Sequence, residues 1–297
     1  MIPFSTFDEI HIPYKRNVQS AAMSSIRAGG SIDTCIYPRN ISELIYIVEA
    51  LHQNGIKYVL LGNCTNTLVR DEGFDGVGIC LREINGFSAE KGAAEILCGT
   101  TLAYAIRRFA LCGIDISAPL SGVPGTLGAM VAGNSGCFDD SMSELFISCL
   151  VYDPKDRKTF ILDSSDMDFG YRSSSVQKNG LIVLKAKLRT KVRAKADVEK
   201  DIFEYSAKRR ESQPKEPSLG SYFKRPTDSE LTASQLIDRC GLRGTSVGDA
   251  EVSPKHAGFI INRGCARAND VLTLAEAVKA RVYEKFSIRL KEEVVVI

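Results

Sequence analysis

Residues 217–226, which read Pro-Ser-Leu-Gly-Ser-Tyr-Phe-Lys-Arg-Pro, combine side chains that could do chemistry. Ser221 could present a hydroxyl group while Lys224 and Arg225 bind an anionic group. Gly220 permits a positive φ or a close approach to a ligand, and the flanking prolines disfavour regular secondary structure. The alternative is a surface turn with solvated charges, because Gly, Ser and Pro are ordinary turn residues.

A second candidate is segment 62–67, Gly-Asn-Cys-Thr-Asn-Thr, which directly follows a predicted strand. A strand that ends in such residues can gather backbone amides and hydroxyl groups around an anion. The segment therefore predicts a loop that could bind a diphosphate.

The third candidate, segment 121–136, contains five glycines and almost no bulky polar side chain. Such a run either packs backbone tightly against backbone or lies against a flat ligand. A buried helix of small residues after the Pro124-Gly125 turn and a ligand-lining segment are both open. A fourth segment, 169–175, places the aromatic ring of Tyr171 beside the guanidinium of Arg172.

Several common chemistries lack their motifs. The sequence contains neither a G-x-x-x-x-G-K-[ST] phosphate loop nor a G-x-G-x-x-G fingerprint between a strand and a helix. No G-x-S-x-G surrounds a serine, and a hydrolase built on Ser221 would need His256 as its base. We interpret His256 as a hydrogen-bonded structural residue. The three histidines, His11, His52 and His256, stand apart from clustered carboxylates, which argues against a metal site.

The composition is that of a globular protein that binds small molecules. The 297 residues are 44% hydrophobic and 25% charged, and the net charge of +2 comes from interspersed cations and anions, so neither nucleic acid nor membrane is an expected partner. Nine cysteines without a C-x-x-C pair indicate reduced, mostly buried thiols. Residues 1–15 lack the apolar core of a signal peptide, and no apolar run approaches about 20 residues. We expect a cytoplasmic protein.

The elements that must position these residues are of mixed type. Apolar runs predict strands at residues 56–61, 76–81, 95–99, 146–153, 158–162, 181–188 and 290–297. Helical spacing predicts five helices. The first follows the N-cap pair Asn40 and Glu43, the second runs from Leu102 and closes at Gly113, and the third contains Val198, Ile202, Tyr205 and Arg209. The fourth is short and is capped by Thr232 and Gln235, and the last is capped by Asn269 or Asp270. The charged stretch 191–200 is the expected domain linker. Without strict βαβ alternation, the class is α+β.

Five segments in chain order resemble a known family. They are residues 62–66, 122–136, 171–173, 220–224 and 290–294. Together they are similar to the UDP-N-acetylenolpyruvoylglucosamine reductases, the flavoenzymes of peptidoglycan precursor synthesis. The resemblance extends from about residue 27 to the C-terminus, and the short interval from Arg172 to Ser221 resembles the shorter of the family's two forms.

The resemblance implies a fold. It is the vanillyl-alcohol-oxidase-like (PCMH-type) FAD-binding fold of two α+β subdomains with a C-terminal substrate-binding α+β domain. The implied boundaries are residues 1–84 joined by strand 288–297, residues 85–192, and residues 197–287. This fold would bind a dinucleotide without the Rossmann fingerprint.

The resemblance also implies the cofactors. FAD would be bound by Gly62, Asn63, Cys64, Thr65, Asn66, Thr67, Gly122, Val123, Pro124, Gly125, Thr126, Gly128 and Asn134. NADPH would reduce the FAD and leave, and the sugar nucleotide would then enter the same pocket. We expect a monomer.

In the implied reaction, hydride passes from the flavin to the vinyl carbon of the enolpyruvyl ether, giving UDP-N-acetylmuramate. Arg172 and Glu293 match the residues that stabilise the charge developing on the neighbouring carbon and carboxylate, and Ser221 matches the proton donor. Tyr171 would bind the substrate together with Lys224 and Arg225, whose charges would lie near its diphosphate. Glu292 is the alternative to Glu293, because a change of register would exchange them.

The sequence departs from the family pattern in three places. Cys64 replaces a glycine in the phosphate loop, the pair Ala129-Met130 replaces Gly-Ala, and Asp139 replaces a glycine at the end of the run. These changes bear on cofactor affinity and local backbone geometry. Two alternatives to the reductase remain: a flavin-dependent oxidase of the same fold that acts on another substrate, and a non-catalytic relative that binds a nucleotide.

Overall fold

The structure is a computed structural model that describes residues 11–138 and 140–297. In these residues the helices are α1 (Ile41–Gln53), α2 (Leu102–Ala110), α3 (Leu127–Ala132), α4 (Met142–Leu145), α5 (Ser175–Lys178), α6 (Lys195–Ser212), α7 (Ala233–Arg239) and α8 (Ala268–Phe286). Short 3₁₀ turns occur at Ser20–Ala22, Leu81–Glu83 and Pro119–Gly122. Within this part of the chain, no helix has the length and apolar character needed to cross a membrane.

The strands are short and numerous. They are β1 (Tyr14–Gln19), β2 (Ser31–Ile36), β3 (Tyr58–Leu61), β4 (Thr67–Leu68), β5 (Phe74–Cys80), β6 (Phe87–Glu90), β7 (Ala93–Leu97), β8 (Ile114–Asp115), β9 (Gly136–Cys137), β10 (Asp140–Ser141), β11 (Phe146–Asp153), β12 (Lys158–Asp163), β13 (Ile182–Arg189), β14 (Lys191–Val192), β15 (Ser218–Ser221), β16 (Ser246–Val247), β17 (Ala250–Val252), β18 (Phe259–Asn262) and β19 (Val295–Val296). One sheet has the order β1-β2-β5-β3.

The chain forms two compact units. The first contains the described residues up to Tyr14 with Cys35–Asn63 and Val77–Arg209, and the second contains Lys15–Thr34, Cys64–Gly76 and Arg210–Ile297. The chain therefore passes from one unit to the other five times: within β1, within β2, after Asn63, within β5 and within α6.

The first unit is built on a five-stranded antiparallel sheet with the order β12-β11-β13-β7-β6. Helix α2 places Leu102, Ala105, Ile106 and Phe109 in the core against this sheet, as their spacing predicted. A second core of the unit includes the buried face of α1. That helix begins as predicted, because the Asn40 side chain accepts a hydrogen bond from the Glu43 N–H.

The second unit pairs β15, β18, β17 and β16 in one antiparallel sheet. Helix α7 begins with the predicted capping box of Thr232 and Gln235. Helix α8 buries the predicted stripe of Val271, Leu274, Ala275, Val278 and Val282. Each fully buried Val or Leu contributes about 1.5–3 kcal/mol, so packing stabilises α8 more than its caps do.

Three sequence predictions need correction. Helix α8 begins after Arg267, so neither Asn269 nor Asp270 is its N-cap; the Asp270 carboxylate instead accepts from the Arg267 N–H at 2.9 Å. The predicted strand 290–297 is reduced to β19, which pairs in parallel with β4. The stretch 191–200, predicted as a linker, contains β14 and the first residues of α6.

No disulfide joins the nine cysteines, which all lie in the described residues. Four of them are buried, three are partly buried, and Cys112 and Cys265 are exposed, so the thiols are less buried than the sequence led us to expect.

Candidate functional site

In the first unit, the beginning of the predicted diphosphate loop lies against the glycine-rich segment. The Asn63 side-chain amide donates to the Pro124 carbonyl at 2.6 Å and to the Thr101 hydroxyl at 2.9 Å. A Cβ atom at Gly62 would lie 2.5 Å from Thr126 Oγ1, so only glycine fits there. Two segments that are 60 residues apart in sequence are thus fixed side by side.

The glycine-rich segment divides into two parts with different environments. Thr126 and Gly128 are buried, and Gly128 donates its backbone N–H to the Cys98 carbonyl at 2.9 Å where α3 begins. This part is the helix of small residues that the sequence allowed. Gly122, Val123 and Gly125 are only partly buried and Pro124 is exposed, so a ligand can reach this stretch, although the carbonyls of Pro124 and Gly125 and the Val123 N–H are already hydrogen-bonded within the protein.

Tyr171 and Arg172 form the tip of a tight turn. The backbones of Gly170 and Ser173 exchange hydrogen bonds of 3.0 and 3.3 Å across it. Arg172 has a positive φ of 53°, which is unusual for a residue with a side chain. Its guanidinium lies 5.3 Å from the centre of the Tyr171 ring and donates to the Gly136 carbonyl at 3.4 Å.

Asn134 connects this turn to the end of the glycine-rich segment. Its side-chain amide donates to the Gly170 carbonyl at 2.9 Å, and its side-chain oxygen accepts from the Ser143 N–H at 3.0 Å. The side chain predicted to contact the cofactor therefore makes contacts that position the Tyr171-Arg172 turn. Asp139, the third departure from the family pattern, lies outside the described residues.

Sequence reasoning did not assign Arg209 to the site. Its side chain packs over Gly122, and its guanidinium lies 3.1 Å from the sulfur of Cys137. Arg209 was predicted only to share a helix face with Val198, Ile202 and Tyr205. A cation on that otherwise mostly apolar face was the available signal.

In the second unit, Ser221 ends β15 at an irregularity of the sheet. Pairing between β15 and β18 shifts between Ser218 and Ser221, and Gly220 between them has a φ of 80°. The positive φ favours glycine. Tyr222 is buried and Ser221 is exposed, so the segment is a bulged strand edge that presents the hydroxyl rather than a solvated turn.

The two candidate glutamates make different contacts. The Glu292 carboxylate pairs with Lys279 of α8 at 3.5 Å, and Val294 is buried in the core of the second unit. The backbone N–H of Glu293 donates to the Tyr222 carbonyl at 2.8 Å, which places Glu293 beside the strand that ends at Ser221.

The rest of the predicted diphosphate loop, Cys64 to Thr67, also belongs to the second unit. Cys64 has a φ of 49°, and its carbonyl accepts from the Ser25 N–H at 3.2 Å. This positive φ favours glycine, the residue that the family resemblance implies at this position. Thr65 is partly buried, Thr67 begins β4, and the Asn66 side chain donates to the Glu293 carbonyl at 3.0 Å.

The two predicted substrate-binding cations follow Ser221. Lys224 is partly buried and its backbone N–H donates to the Lys291 carbonyl at 2.8 Å, while Arg225 is exposed. The second unit therefore groups Ser221, Lys224, Arg225 and Glu293, and the first groups the glycine-rich segment with Tyr171 and Arg172.

Burial changes the acidity of two nearby groups. Burial, followed by the carboxylates of Glu292 and Glu276, raises the pKa of the Tyr222 hydroxyl well above its ordinary value. Burial lowers the pKa of His256, whose Nδ1 accepts from the Gly258 N–H at 3.2 Å. His256 is therefore a hydrogen-bonded structural residue, as interpreted from the sequence.

Four features of the first unit fit a flavin nucleotide. The glycine-rich stretch at Gly122–Gly125 is accessible, and Gly62 lets the two segments pack together without a side chain between them. Among the described residues, the buried Ser121 hydroxyl at the start of the segment has no hydrogen-bond partner, so a polar ligand there could satisfy it. Arg209 adds a positive charge beside this backbone. In the described residues, no three His, Cys, Asp or Glu side chains are grouped to hold a metal ion.

Comparison with known proteins agrees with this geometry. Residues 32–155 match the FAD binding domain family, and residues 213–297 match the family of the UDP-N-acetylenolpyruvoylglucosamine reductase C-terminal domain. The chain is 37% identical over 290 residues to the UDP-N-acetylenolpyruvoylglucosamine reductase of Caldicellulosiruptor saccharolyticus, covering 97% of this chain and 93% of the relative. It is 36% identical over 275 residues to that of Clostridium tetani, covering 92% and 89%.

A solved structure extends the comparison to the fold. The crystal structure of UDP-N-acetylenolpyruvylglucosamine reductase from Thermus caldophilus matches with a TM-score of 0.80 and 29% identity, covering 96% of this chain and 99% of that one. The expected fold, a PCMH-type FAD-binding domain followed by the reductase C-terminal domain, is confirmed. The chain belongs to the UDP-N-acetylenolpyruvoylglucosamine reductase family.

Proposed function

We propose that this protein reduces the enolpyruvyl group of UDP-N-acetylenolpyruvoylglucosamine to give UDP-N-acetylmuramate, with NADPH as the reductant. The observation that best supports this proposal is the backbone pairing of Tyr222 with Glu293, which holds the predicted proton donor and the predicted carboxylate on neighbouring segments. Full-length relatives with this activity in their names support it independently.

FAD, when bound, accepts hydride from NADPH and supplies it to the vinyl carbon of the substrate. Asn63 fixes the loop after Gly62 against Pro124, and so shapes the backbone that would bind the cofactor. The Gly122–Gly125 region would lie along the flavin, and residues 64–67 would bind the diphosphate through backbone N–H groups and the threonine hydroxyls. Arg209 would place its charge beside this surface.

Arg172 and Glu293 would act on the charge that develops in the substrate. When hydride adds to the vinyl carbon, electron density moves to the neighbouring carbon and its carboxylate. A guanidinium held in advance where that charge appears lowers the barrier more than one that must reorient. The turn between Gly170 and Ser173 fixes the Arg172 backbone in this way.

Ser221 would complete the reaction by donating its hydroxyl proton to the carbon next to the substrate carboxylate. Serine ionises weakly at neutral pH, so the oxygen must recover a proton from solvent or a hydrogen-bonded neighbour as it gives one up. The exposed position of Ser221 allows such a transfer. Tyr171, Lys224 and Arg225 would bind the sugar nucleotide, with the cations near its diphosphate.

The remaining expectations are also proposals. They are a monomeric, cytoplasmic protein and a division into residues 1–84 joined by 288–297, residues 85–192 and residues 197–287. Asn134 was expected to contact FAD; its contacts with Gly170 and Ser143 support a role in orienting the Arg172 turn.

An anaerobic experiment on the purified protein tests the function. Bound flavin should lose its absorbance on addition of NADPH and regain it when the enolpyruvyl sugar nucleotide is added. Flavin that stays reduced with this substrate but is reoxidised by oxygen would indicate an oxidase. Protein that binds no flavin, or whose flavin NADPH cannot reduce, would indicate a non-catalytic relative.

A further inference from the structure

Both backbone groups of Glu293 are hydrogen-bonded, and the two partners come from different segments of the second unit. Its N–H donates to the carbonyl of Tyr222 at 2.8 Å. Its carbonyl accepts from the side-chain amide of Asn66 at 3.0 Å. The peptide planes on both sides of the Glu293 Cα are therefore fixed, and with them the direction in which its side chain leaves the backbone.

The Asn66 contact is part of a continuous junction. The Val295 N–H donates to the Asn66 carbonyl at 2.9 Å, and the Ile297 N–H donates to the Leu68 carbonyl at 2.9 Å. The Arg70 N–H then donates to the Ile297 carbonyl at 2.8 Å. Segment 66–70 thus holds the last five residues of the chain along one edge, as the parallel pairing of β4 with β19 requires.

The Asn66 side chain adds to these backbone hydrogen bonds a contact that backbone pairing does not supply. Strand β19 begins at Val295, whose N–H donates to the Asn66 carbonyl, so the strand pairing does not extend back to Glu293. Without the side-chain amide of Asn66, the Glu293 carbonyl would lose this hydrogen bond. The proposed role of Glu293 requires its side chain to keep one orientation.

We propose that Asn66 is a positioning residue for Glu293. This inference deepens the proposed function and rests on it. The Asn66 amide donates its hydrogen bond to the Glu293 carbonyl. The loop expected to bind the FAD diphosphate therefore also positions the carboxylate proposed to act on the substrate. A misplacement of about 1 Å can cost a reaction step about 100-fold, so this bond is expected to matter for turnover.

The test uses the FAD-loaded protein with Asn66→Ala and with Asn66→Leu, which keeps a similar size without a charge or an amide donor. The matched control is Asn54→Ala, because Asn54 is also exposed and donates its amide to a backbone carbonyl, that of Ala50, at 2.7 Å. Rapid mixing measures flavin reduction by NADPH and flavin reoxidation by the enolpyruvyl sugar nucleotide separately. FAD affinity is measured by titrating the apoprotein.

Both Asn66 variants should keep the wild-type FAD affinity and the wild-type rate of reduction within about twofold. The maximal rate of reoxidation should fall about 10- to 100-fold, with substrate affinity little changed. Asn54→Ala should match the wild type in all three measurements. A large loss of FAD affinity with a wild-type reoxidation rate in FAD-saturated protein would overturn the proposal, since Asn66 would then be a cofactor contact.

Hydrogen exchange separates this inference from the proposed function. In Asn66→Ala the amides of Glu293 and Val295, which are hydrogen-bonded in the wild type, should exchange at least 10-fold faster than in the wild type and in Asn54→Ala. Unchanged protection would overturn the positioning role. If the wild-type flavin is not reoxidised by the sugar nucleotide, the proposed function fails, while the exchange result still decides whether Asn66 fixes Glu293.

Discussion

The Glu293 N–H donates to the Tyr222 carbonyl at 2.8 Å, so Glu293 is attached through the backbone to the residue that follows Ser221. A bridge between Phe223 and Glu292 continues this pairing. The separation of Ser221 and Glu293 is thus set by backbone geometry, which varies less than side-chain conformation. Two groups proposed to act on one substrate are held by a single antiparallel contact.

Replacing the proton donor should affect one half of the reaction. Ser221→Ala should leave flavin reduction by NADPH unchanged and slow flavin reoxidation by the sugar nucleotide about 10²- to 10⁴-fold, the usual contribution of a general acid. Rapid mixing under anaerobic conditions measures both steps. Ser246→Ala, at an exposed serine of β16 in the same sheet, should behave as the wild type. Equal losses in both steps would exclude this role.

The two neighbouring glutamates should differ in their effect. Glu293→Gln should slow reoxidation about 100-fold or more, because it removes a charge placed to act in the transition state. Glu292→Gln only weakens a partly exposed ion pair with Lys279, worth about 0–1 kcal/mol of unfolding free energy, and should keep most of the activity. The same two half-reactions are measured for both variants. The opposite ranking would show that Glu292 is the acting residue.

The unusual cysteine of the diphosphate loop should cost stability. Cys64 has a φ of 49°, where backbone strain destabilises a folded residue that has a side chain by about 1–2 kcal/mol. Glycine avoids this strain but lowers the unfolding free energy by about 0.4–1 kcal/mol, because it gives the unfolded chain more conformational entropy. Cys64→Gly should therefore raise the free energy of unfolding by about 0.5–1 kcal/mol, measured by urea denaturation. Cys265→Gly, at an exposed cysteine whose φ is not positive, should lower it.

The start of α8 depends on a residue from a distant part of the chain. The Asp71 carboxylate accepts from the N–H groups of Ala268 and Asn269 at 3.0 and 2.9 Å. Asp71→Ala should lower the free energy of unfolding by about 1–2 kcal/mol, as for the loss of a helix N-cap. Asp75→Ala, at an exposed position of β5, serves as the control in the same urea experiment and should change little.

The stability of the protein should fall at mildly acidic pH. Burial lowers the pKa of His256 below the ordinary value of about 6.5, so the unfolded chain binds a proton more readily than the folded protein. The contribution of neutral His256 to the free energy of unfolding is present above about pH 6.5 and is lost as the pH falls below that value. His256→Asn retains an acceptor for the Gly258 N–H and should show a smaller decrease in unfolding free energy from pH 7.5 to 5.5. An equal decrease would assign the pH dependence to other groups.

Elements whose signals lie in neighbouring residues could be predicted from the sequence. The caps at Asn40 and Thr232 and the apolar stripes of α2 and α8 appear where spacing places them, since a helix buries the residues that share its face. The ordered motifs from Gly62 to Glu293 also identified the family. Those motifs could be recognised without any knowledge of how they meet in space.

The features that depend on distant partners could not be predicted and emerge only in the folded chain. The cap of α8 was misplaced because Asp71, 197 residues earlier in the chain, supplies acceptors for its first N–H groups. The C-terminal strand was overestimated because its length is set by pairing with the two residues of β4. The ion pair of Glu292 with Lys279 appears only in the folded chain, and the contact of Asn66 with Glu293 joins residues 227 positions apart. Hydrogen bonds between distant segments leave no periodic trace in a single sequence, so only the folded chain reveals them.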